Sequence, residues 1–291
     1  MWNILFTVVT VVALILIWIM IYDGNRFVVR EHQFCDARIR RSVRAVVLAD
    51  LHNKKYGRDN AHLIEAIRAA KPDMILVAGD LLTAKPGAEL TTALQFLEAL
   101  AKDYPIYYGN GNHEQRLGLY PDTYGDMAER YAEGLERLGI QPLVNAHVQL
   151  ADWGITIYGT EIDRRFYRRI HGQPMEETYL ESLLGKVDKD SYSILLAHNP
   201  DYFPQYAGWG ADLVLAGHVH GGIVRIPFVG KGVASPHISF FPRYDGGRFD
   251  EGDSVMLVSR GLGMHTIPIR LFNPGELLVL DFKKPDSEAE S

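Results

Sequence analysis

The chain opens with an apolar run that differs from everything after it. Residues 4–22 contain no charged side chain. A helix of that length, rising about 1.5 Å per residue, is long enough to cross a hydrocarbon core about 30 Å thick. A cleaved signal peptide would have basic residues before the run and a small-residue motif after it, and the sequence has neither. A buried helix of a globular domain would normally show a polar stripe. The pattern therefore predicts a transmembrane anchor over residues 1–22.

The residues that follow the anchor are polar and basic, and we predict a juxtamembrane connector over residues 23–42. No basic residue precedes the anchor, whereas six arginines follow it: Arg26, Arg30, Arg38, Arg40, Arg41 and Arg44. Because basic residues favour the cytoplasmic flank of a single span, we expect the rest of the chain to lie in the cytoplasm. The same arginines would attract anionic lipid head groups, although topology alone is enough to explain them.

Short apolar runs then alternate with helical patterns. Residues 44–49, 74–78 and 106–108 are predicted strands, and the apolar spacing within residues 60–70 and 89–101 predicts helices between them. The second half has more strands than helices, with predicted strands at 149–150, 155–158, 194–197, 213–216, 255–258 and 277–280 and helices at 126–138 and 176–184. This alternation predicts an α/β domain over residues 43–282, followed by a flexible tail over residues 283–291.

Composition and charge narrow the class of protein. The chain is 47% hydrophobic and 23% charged, as is usual for a globular domain. The net charge is −6, and because residues 1–44 contribute +3, the remainder carries −9. An acidic body lacks the basic surface that nucleic acids need, so no nucleic-acid partner is expected. Cys35 is the only cysteine, which excludes an intrachain disulfide and a thiolate metal cluster.

Five of the predicted strands end in residues that can bind metals. The strand-end residues are Asp50, His52, Asp80, Asn112, His113, Glu114, His198, His218 and His220. Ligand sites in such sheets lie at the carboxyl ends of the strands, so these side chains are expected to meet in one crevice. A single histidine after a strand is usually a packed or solvated residue. The recurrence of such residues at five strand ends is what predicts a site.

The spacing of these residues favours metal binding. In extended chain, residues two apart point to the same side, so Asp50 and His52 can face one ion together. His218 and His220 can likewise reach two ions about 3.5–4 Å apart, the separation common in two-metal hydrolases. Oxygen and imidazole ligands without sulfur suit Mn, Fe or Zn. The other histidines lack this context and are assigned to structural or surface positions: His32, His62, His147, His171, His237 and His265.

The series DLH, GD, GNHE, AHNP and GHVHGG resembles the signature of calcineurin-like metallophosphoesterases. The resemblance covers most of residues 45–282. The later segments SRGLG (residues 259–263) and PIRLFNPGEL (residues 268–277) are similar to those of the membrane-anchored bacterial branch of that superfamily. The resemblance implies a four-layer α-β-β-α sandwich, in which two mixed sheets pack face to face with helices outside.

The resemblance also implies roles for the strand-end residues. Two divalent metal ions would be bound, the first by Asp50, His52 and His220 and the second by Asn112, His198 and His218, with Asp80 bridging them. The ions would lower the pKa of a shared water, and the resulting hydroxide would attack phosphorus in line. His113 resembles the catalytic histidine that protonates the leaving oxygen or stabilises its charge. Asp50 and Glu114 are two candidates for orienting it.

These features predict a metal-dependent hydrolase of phosphodiester or pyrophosphate bonds. The anchor favours a lipid-linked substrate, and the similar branch includes enzymes that split the pyrophosphate of UDP-diacylglucosamine; a nucleotide or another soluble phosphodiester remains open. Alternatives are a phosphomonoesterase, a nuclease, or a non-catalytic scaffold whose metals are structural. The segment RRFYRR is interpreted either as a lid that contacts phosphate or as a solvated basic helix, through Arg164, Arg165, Arg168 and Arg169.

Overall fold

The computed structural model describes residues 1–167, 173–235, 240–264 and 268–285. The helices in these ranges are α1 Trp2–Gly24, α2 Ala61–Ala70, α3 Thr91–Ala101, α4 Asn112–Leu119, α5 Pro121–Tyr124, α6 Met127–Arg137, α7 Tyr179–Leu184 and α8 Phe203–Trp209. The strands are β1 Phe27–Cys35, β2 Val43–Leu48, β3 Met74–Ala78, β4 Ile106–Gly109, β5 Ala146–Leu150, β6 Ile155–Gly159, β7 Tyr192–Leu196, β8 Leu213–Ala216, β9 Gly247–Glu251, β10 Ser254–Val258 and β11 Gly275–Lys283.

The strands form two mixed sheets. The first has the order β1-β11-β2-β3-β4, and only the β11–β2 pair is antiparallel within it. The second has the order β5-β6-β7-β8-β10-β9, with antiparallel pairs at its two edges. The parallel strands in the middle are apolar at nearly every position because both of their faces are covered. The predicted fold class, an α/β sandwich of two mixed sheets, is confirmed.

Alternate residues of each central strand enter different layers of the core. In β3, Ile75 and Val77 join the cluster under α2, α3 and α6, whereas Met74 and Leu76 join the cluster between the two sheets. On the second sheet, Leu195 faces the third cluster, which includes residues of α7 and α8. This period of two follows from the pleat of a strand and produces the four layers.

The N-terminal region departs from its prediction. The apolar residues of α1 are exposed, and the helix is long and apolar enough to cross a membrane. The predicted connector, residues 23–42, contains β1, which pairs in parallel with β11 along its whole length. The sequence did not predict this strand, since an edge strand with many exposed polar residues gives little hydrophobic signal. In the expected tail, Lys283 ends β11, and residues 286–291 lie outside the described ranges.

Candidate metal centre

The predicted site residues lie together at the carboxyl ends of β2, β3, β4, β7 and β8. All of them are at least nine-tenths buried. Five adopt a left-handed backbone with φ between 48° and 71°, namely Asp50, His52, Asp80, His218 and His220. A non-glycine residue in this conformation costs free energy, on the order of 1–3 kcal/mol, and such residues concentrate at functional sites. The strand ends are therefore shaped to direct these side chains inward at the expense of local stability.

Asp80 lies at the centre of the cluster. Its Oδ2 is 3.0 Å from His198 Nε2, 3.7 Å from His52 Nε2 and 4.0 Å from His113 Nε2. Its Oδ1 accepts a hydrogen bond from the backbone N–H of His113 at 2.8 Å, which fixes the carboxylate plane. One carboxylate thus contacts histidines from both predicted ligand sets, the geometry that a bridging ligand requires.

Asp50 occupies the other side of the cluster. Both of its oxygens accept the backbone N–H of His218 at 3.0 Å, and Oδ1 lies 3.6 Å from His220 Nε2. The Nε2 atoms of His52 and His220 are 3.1 Å apart, with their rings stacked. The ligand atoms of Asp50, His52 and His220 all lie within 4.8 Å of one another, as do those of Asp80, His198 and His218. A third set, His52, Asp80 and His113, is equally close, so the structure brings the predicted residues together around Asp80, while the assignment of ligands to ions stays a prediction.

The ring nitrogens of His198 and His113 are held in opposite ways. His198 Nδ1 lies 2.8 Å from the carbonyl of Ala78, so it carries a proton and donates it, which leaves Nε2, 3.0 Å from Asp80, as the nitrogen that a cation can bind in place of a proton. In His113 the backbone N–H of Ala84 donates to Nδ1 at 2.8 Å, so the proton of the neutral ring lies on Nε2. His198 is thereby prepared to bind a cation and His113 to donate a hydrogen bond.

Three observations show that the residues fit a pair of divalent cations. Asn112 Oδ1 is buried and accepts no hydrogen bond from the part of the chain that the structure describes. His198 Nε2 and an oxygen of Asp80 face each other at 3.0 Å, so that a proton or a metal ion can lie between the nitrogen and the carboxylate. The donor atoms are oxygen and imidazole nitrogen, which bind borderline and hard divalent ions.

The protonation of the cluster reflects the same shortage of positive charge. Burial raises the pKa of Asp50 to about 7, although the charge of His198 opposes this. Burial lowers the pKa of His198, but Asp80 and Asp50 outweigh it and raise that pKa to about 10. Protons and metal ions compete for such ligands, so a divalent cation at His198 would displace a proton.

Glycine is needed where the loops approach the two carboxylates. A Cβ on Gly111 would collide with Asp80 Oδ1, and a Cβ on Gly217 would collide with Asp50 Oδ2. These two positions explain part of the glycine-rich pattern at the strand ends, because only a residue without a side chain leaves the carboxylates in place.

Glu114 does not orient the His113 ring, the role for which it was a candidate. Its carboxylate accepts the backbone N–H groups of Asp80, Leu81 and Gly111, each at 2.9 Å, and the hydroxyl of Tyr108 at 3.0 Å. It therefore binds the loop after β3 to the loop after β4. The proton position of His113 is set by Ala84 instead, a contact that a sequence pattern gives no means of finding.

Four further residues line or support the centre, and of these only Arg164 was suggested by the sequence, as part of either a lid or a solvated basic helix. The ring of Tyr167 lies 5.3 Å from that of His218, and the guanidinium of Arg164 lies over Tyr167 at 5.6 Å. On the opposite side, Asn273 donates from Nδ2 to the carbonyl of His220 at 2.8 Å. Arg270 is buried behind Asp50 and binds the carbonyls of Arg260, Gly261 and Gly263. The sequence singles out the RRFYRR and PIRLFNPGEL segments, but only the fold shows which of their residues reach this site. Arg168 and Arg169 lie outside the described residues.

Comparison with known proteins places this geometry in a family. A profile described as calcineurin-like phosphoesterase matches residues 43–222. The uncharacterised metallophosphoesterase YkuE of Bacillus subtilis is 29% identical over 244 residues, which cover 82% of this chain and 78% of YkuE. Cj0846 of Campylobacter jejuni, also an uncharacterised metallophosphoesterase, is 27% identical over 250 residues, covering 84% of this chain and 60% of that protein.

A third relative carries a named activity. The phosphodiesterase YaeI of Escherichia coli is 27% identical over 219 residues, covering 74% of this chain and 73% of YaeI. The family profile spans well over half of the chain, from the first residue of β2 to the turn that holds His220. The chain therefore belongs to the calcineurin-like phosphoesterases, a family of metal-dependent phosphoester hydrolases that use two divalent metal ions.

Proposed function

We propose that this protein hydrolyses phosphodiester or pyrophosphate bonds at a membrane surface. The observation that carries the proposal is the pair of opposite ring orientations beside Asp80. The Ala78 carbonyl holds the Nδ1 proton of His198 and leaves its Nε2 to bind a cation beside Asp80, whereas the Ala84 amide leaves His113 with an N–H on Nε2 that suits a developing oxyanion. A site with purely structural metals needs no N–H directed at the centre, so the orientation of the His113 ring supports catalysis.

In the proposed mechanism the two cations would be held by Asp50, His52, Asp80, Asn112, His198, His218 and His220. When bound, two divalent cations supply Lewis acidity, which activates water and neutralises phosphate oxygens. The protein groups position the phosphate and exclude water from the other faces of phosphorus. His113 donates its Nε2 proton to the leaving oxygen, and its ring is fixed for this by the amide of Ala84.

A cationic side chain next to the centre supports a substrate with more than one phosphate charge. Arg164 Nη1 is buried and makes no hydrogen bond within the described residues. Its guanidinium lies over Tyr167, whose ring touches His218. A guanidinium can bind two phosphate oxygens at once, so Arg164 is suited to a phosphate adjoining the scissile one. The name of YaeI also supports a phosphodiesterase.

The membrane part of the proposal is supported by α1. Trp2 stands at one end of the helix, and Trp18 stacks on Tyr22 at the other, with ring centroids 5.4 Å apart. Twenty residues of helix separate Trp2 from Tyr22, about 30 Å, which matches the spacing of aromatic belts across a bilayer. Asp23 is buried and accepts the backbone N–H of Asn273 at 3.0 Å, so the end of α1 is built into the folded domain. The arginines that follow favour a cytoplasmic domain.

The test uses detergent-solubilised protein that has been stripped with chelator and reloaded with Mn²⁺, Fe²⁺ or Zn²⁺. Turnover is measured on bis-(p-nitrophenyl) phosphate, on p-nitrophenyl phosphate and on a nucleotide diphosphate sugar. The proposal expects metal-dependent hydrolysis of the diester and the pyrophosphate above that of the monoester. A preference for the monoester would indicate a phosphomonoesterase, and release of nucleotides from added single-stranded DNA would indicate a nuclease. Absence of metal-dependent turnover on every compound would favour a scaffold.

A further inference from the structure

An apolar hairpin follows directly after the turn that holds His220. We call described residues 223–235 and 240–243 the apolar hairpin; it is closed by a bridge between Arg225 and Gly232 and by a hydrogen bond from Ile226 N–H to Lys231 O at 2.9 Å. Its protruding side chains are aromatic or aliphatic. Phe228 is fully exposed, and Val229, Phe240 and Phe241 are 72%, 68% and 58% exposed. Large apolar side chains exposed at this density on one segment mark an interaction site on a folded protein.

The backbone holds this apolar surface outward at a cost. Phe228 has φ 66° and Phe241 has φ 51°, in the left-handed region that aromatic residues rarely occupy. The buried guanidinium of Arg225 stiffens the hairpin, because it donates to the carbonyls of Gly221, Gly230 and Asp245. Strained backbone that is held in place by surrounding contacts is typical of functional segments. The exposed aromatic residues of the hairpin do not contribute to the core, so their strained conformation indicates a function at the surface.

The base of the hairpin is joined to the end of α1 through one residue. The backbone N–H of Asn273 donates to Asp23 at 3.0 Å, and its side-chain amide donates to the carbonyls of His220 at 2.8 Å and Ile223 at 3.3 Å. The backbone of Arg225 is bound to Leu271 at 3.0 Å. Asn273 is fully buried. The apolar helix, the hairpin and the turn carrying His220 are therefore held together by the hydrogen bonds of one buried residue.

We propose that the apolar hairpin inserts its tip into the same bilayer that α1 crosses. Five residues separate Ile223 from Phe228, and extended chain of that length reaches at most about 17 Å. The head-group region on each side of a bilayer is roughly 5–7 Å thick, and α1 ends within it if the helix spans the membrane. The tip therefore lies close enough to the end of α1 to reach the lipid interface.

The position of the hairpin favours lipid as the occupant, and its charge is compatible with an anionic surface. Residues 223–243 contain three basic residues and no acidic residue. Arg225 is buried, whereas Arg243 is exposed and the Lys231 side chain is 39% exposed. Lys231 Nζ lies 3.5 Å from Asp245 and Arg243 lies 3.9 Å from Glu251, so anionic head groups would compete with these acidic partners while the aromatic residues enter the acyl boundary. An acidic second copy of the chain would attract the same basic residues, so the junction of the hairpin with the end of α1 through Asn273 is what favours a membrane surface.

This inference rests on the proposed function and gives its substrate a location. His220, a predicted metal ligand, lies three residues before the hairpin. Insertion of the hairpin tip would therefore hold the metal centre at the head-group layer. Phosphoesters whose acyl or isoprenoid tails stay in the bilayer would then present phosphate to the ions without leaving the membrane. The substrate class is therefore an amphiphilic phosphodiester or pyrophosphate.

The test uses the full-length protein in phosphatidylcholine and phosphatidylglycerol vesicles. Because Cys35 is the only cysteine, a Cys35→Ser background allows one spin label at a time. Labels are placed by Phe228→Cys at the tip, by Leu119→Cys at an equally apolar exposed control position on α4, and by Leu16→Cys in α1. Collision with oxygen, which concentrates in lipid, is compared with collision with a water-soluble nickel chelate.

We expect the oxygen-to-nickel ratio at 228 to reverse relative to 119 and to approach that at 16. A ratio at 228 equal to that at 119 would overturn the inference, and so would protection from both reagents, which would indicate a protein contact such as a second copy. If label 16 also reports water, the proposed anchor has failed as well. Mn²⁺-dependent hydrolysis of bis-(p-nitrophenyl) phosphate in the same samples tests the proposed chemistry independently of the label positions. A Phe228→Ser, Val229→Ser variant should keep that activity and show that the hairpin does not act on the soluble diester.

Discussion

At the scale of single residues, the hydrogen-bond partner of Nδ1 decides whether a histidine of this site is suited to bind a metal or to donate a proton. His113 and His198 are both buried histidines within 4.0 Å of the same oxygen of Asp80. A backbone carbonyl faces the Nδ1 of one and a backbone amide faces the Nδ1 of the other. Such partners fix the tautomer and hence the function of the far nitrogen. The strand-end pattern predicted that both residues would be in the site, but it contained no information about these partners.

Substitution of the two kinds of residue should have different effects. His113→Ala should retain both metal ions and lower kcat on a phosphodiester by about 10²–10⁴-fold, because only the proton donor is lost. Asp80→Ala should lose metal, because its carboxylate contacts histidines from both predicted ligand sets. Elemental analysis of the purified variants beside kcat measurements checks the difference. Similar metal loss in both variants would show that His113 is a ligand.

Arg164 should matter for substrates with a second phosphate. We expect Arg164→Ala to raise KM for a nucleotide diphosphate sugar by about 10-fold or more while changing KM for an aryl diester much less, as loss of a charge-assisted contact predicts. Arg165→Ala is the matched control, because the Arg165 guanidinium lies over Phe166 and Tyr179, whereas that of Arg164 lies over Tyr167. Equal effects of the two substitutions on both substrates would indicate general electrostatics.

At the scale of elements, the sequence was informative where strands are buried and uninformative where they are not. Strand β3 has the predicted bounds, and β2 differs by one residue at each end, because a strand covered on both faces is a continuous apolar run. The edge strands β1 and β9 were missed, since their exposed positions are polar. Helix α4 was missed for another reason. Its first turn contains Asn112, His113 and Glu114, which point at the site and remove the apolar face that a helix prediction needs.

The missed strand β1 brings with it a contact between the two sheets. Arg38, which follows β1, donates to Asp36 at 2.7 Å, to Asp212 beside β8 at 2.8 Å and to the carbonyl of Ser191 at 3.2 Å. Arg38→Ala should therefore lower the free energy of unfolding by about 1–2 kcal/mol, since the network is partly buried. For a chain of this size that corresponds to a Tm decrease of roughly 2–4 °C per kcal/mol in differential scanning calorimetry.

The control for Arg38 is Arg68→Ala. Arg68 forms a pair with Asp103 at 2.8 Å, but both side chains are about half exposed, so its loss should cost less than about 1 kcal/mol. A Tm change for Arg38→Ala no larger than that of the control would contradict a role for β1 in joining the sheets.

At the scale of the whole molecule, the C-terminal end of the apolar helix packs into the catalytic domain. The hydrophobic pattern predicted the helix and the strand ends predicted the site, but each was predicted separately. The junction of Asp23, Asn273 and His220 spans 250 residues of sequence, and no local pattern could have predicted it. A tertiary contact of this length depends on the register of β1 with β11, which brings the first and last strands side by side.

The proposed orientation of the protein in a membrane can be measured with its single thiol. Cys35 is exposed and is the last residue of β1, so it reports the side on which the domain lies. The arginines after α1 predict the cytoplasmic side. A membrane-impermeant maleimide should therefore leave Cys35 unlabelled in intact spheroplasts and label it after permeabilisation, while Cys35→Ser serves as the background. Labelling in intact spheroplasts would place the domain outside and reverse the topology. The metal centre would then face the outer leaflet, because the junction at Asn273 connects it to that end of the helix on either side of the membrane.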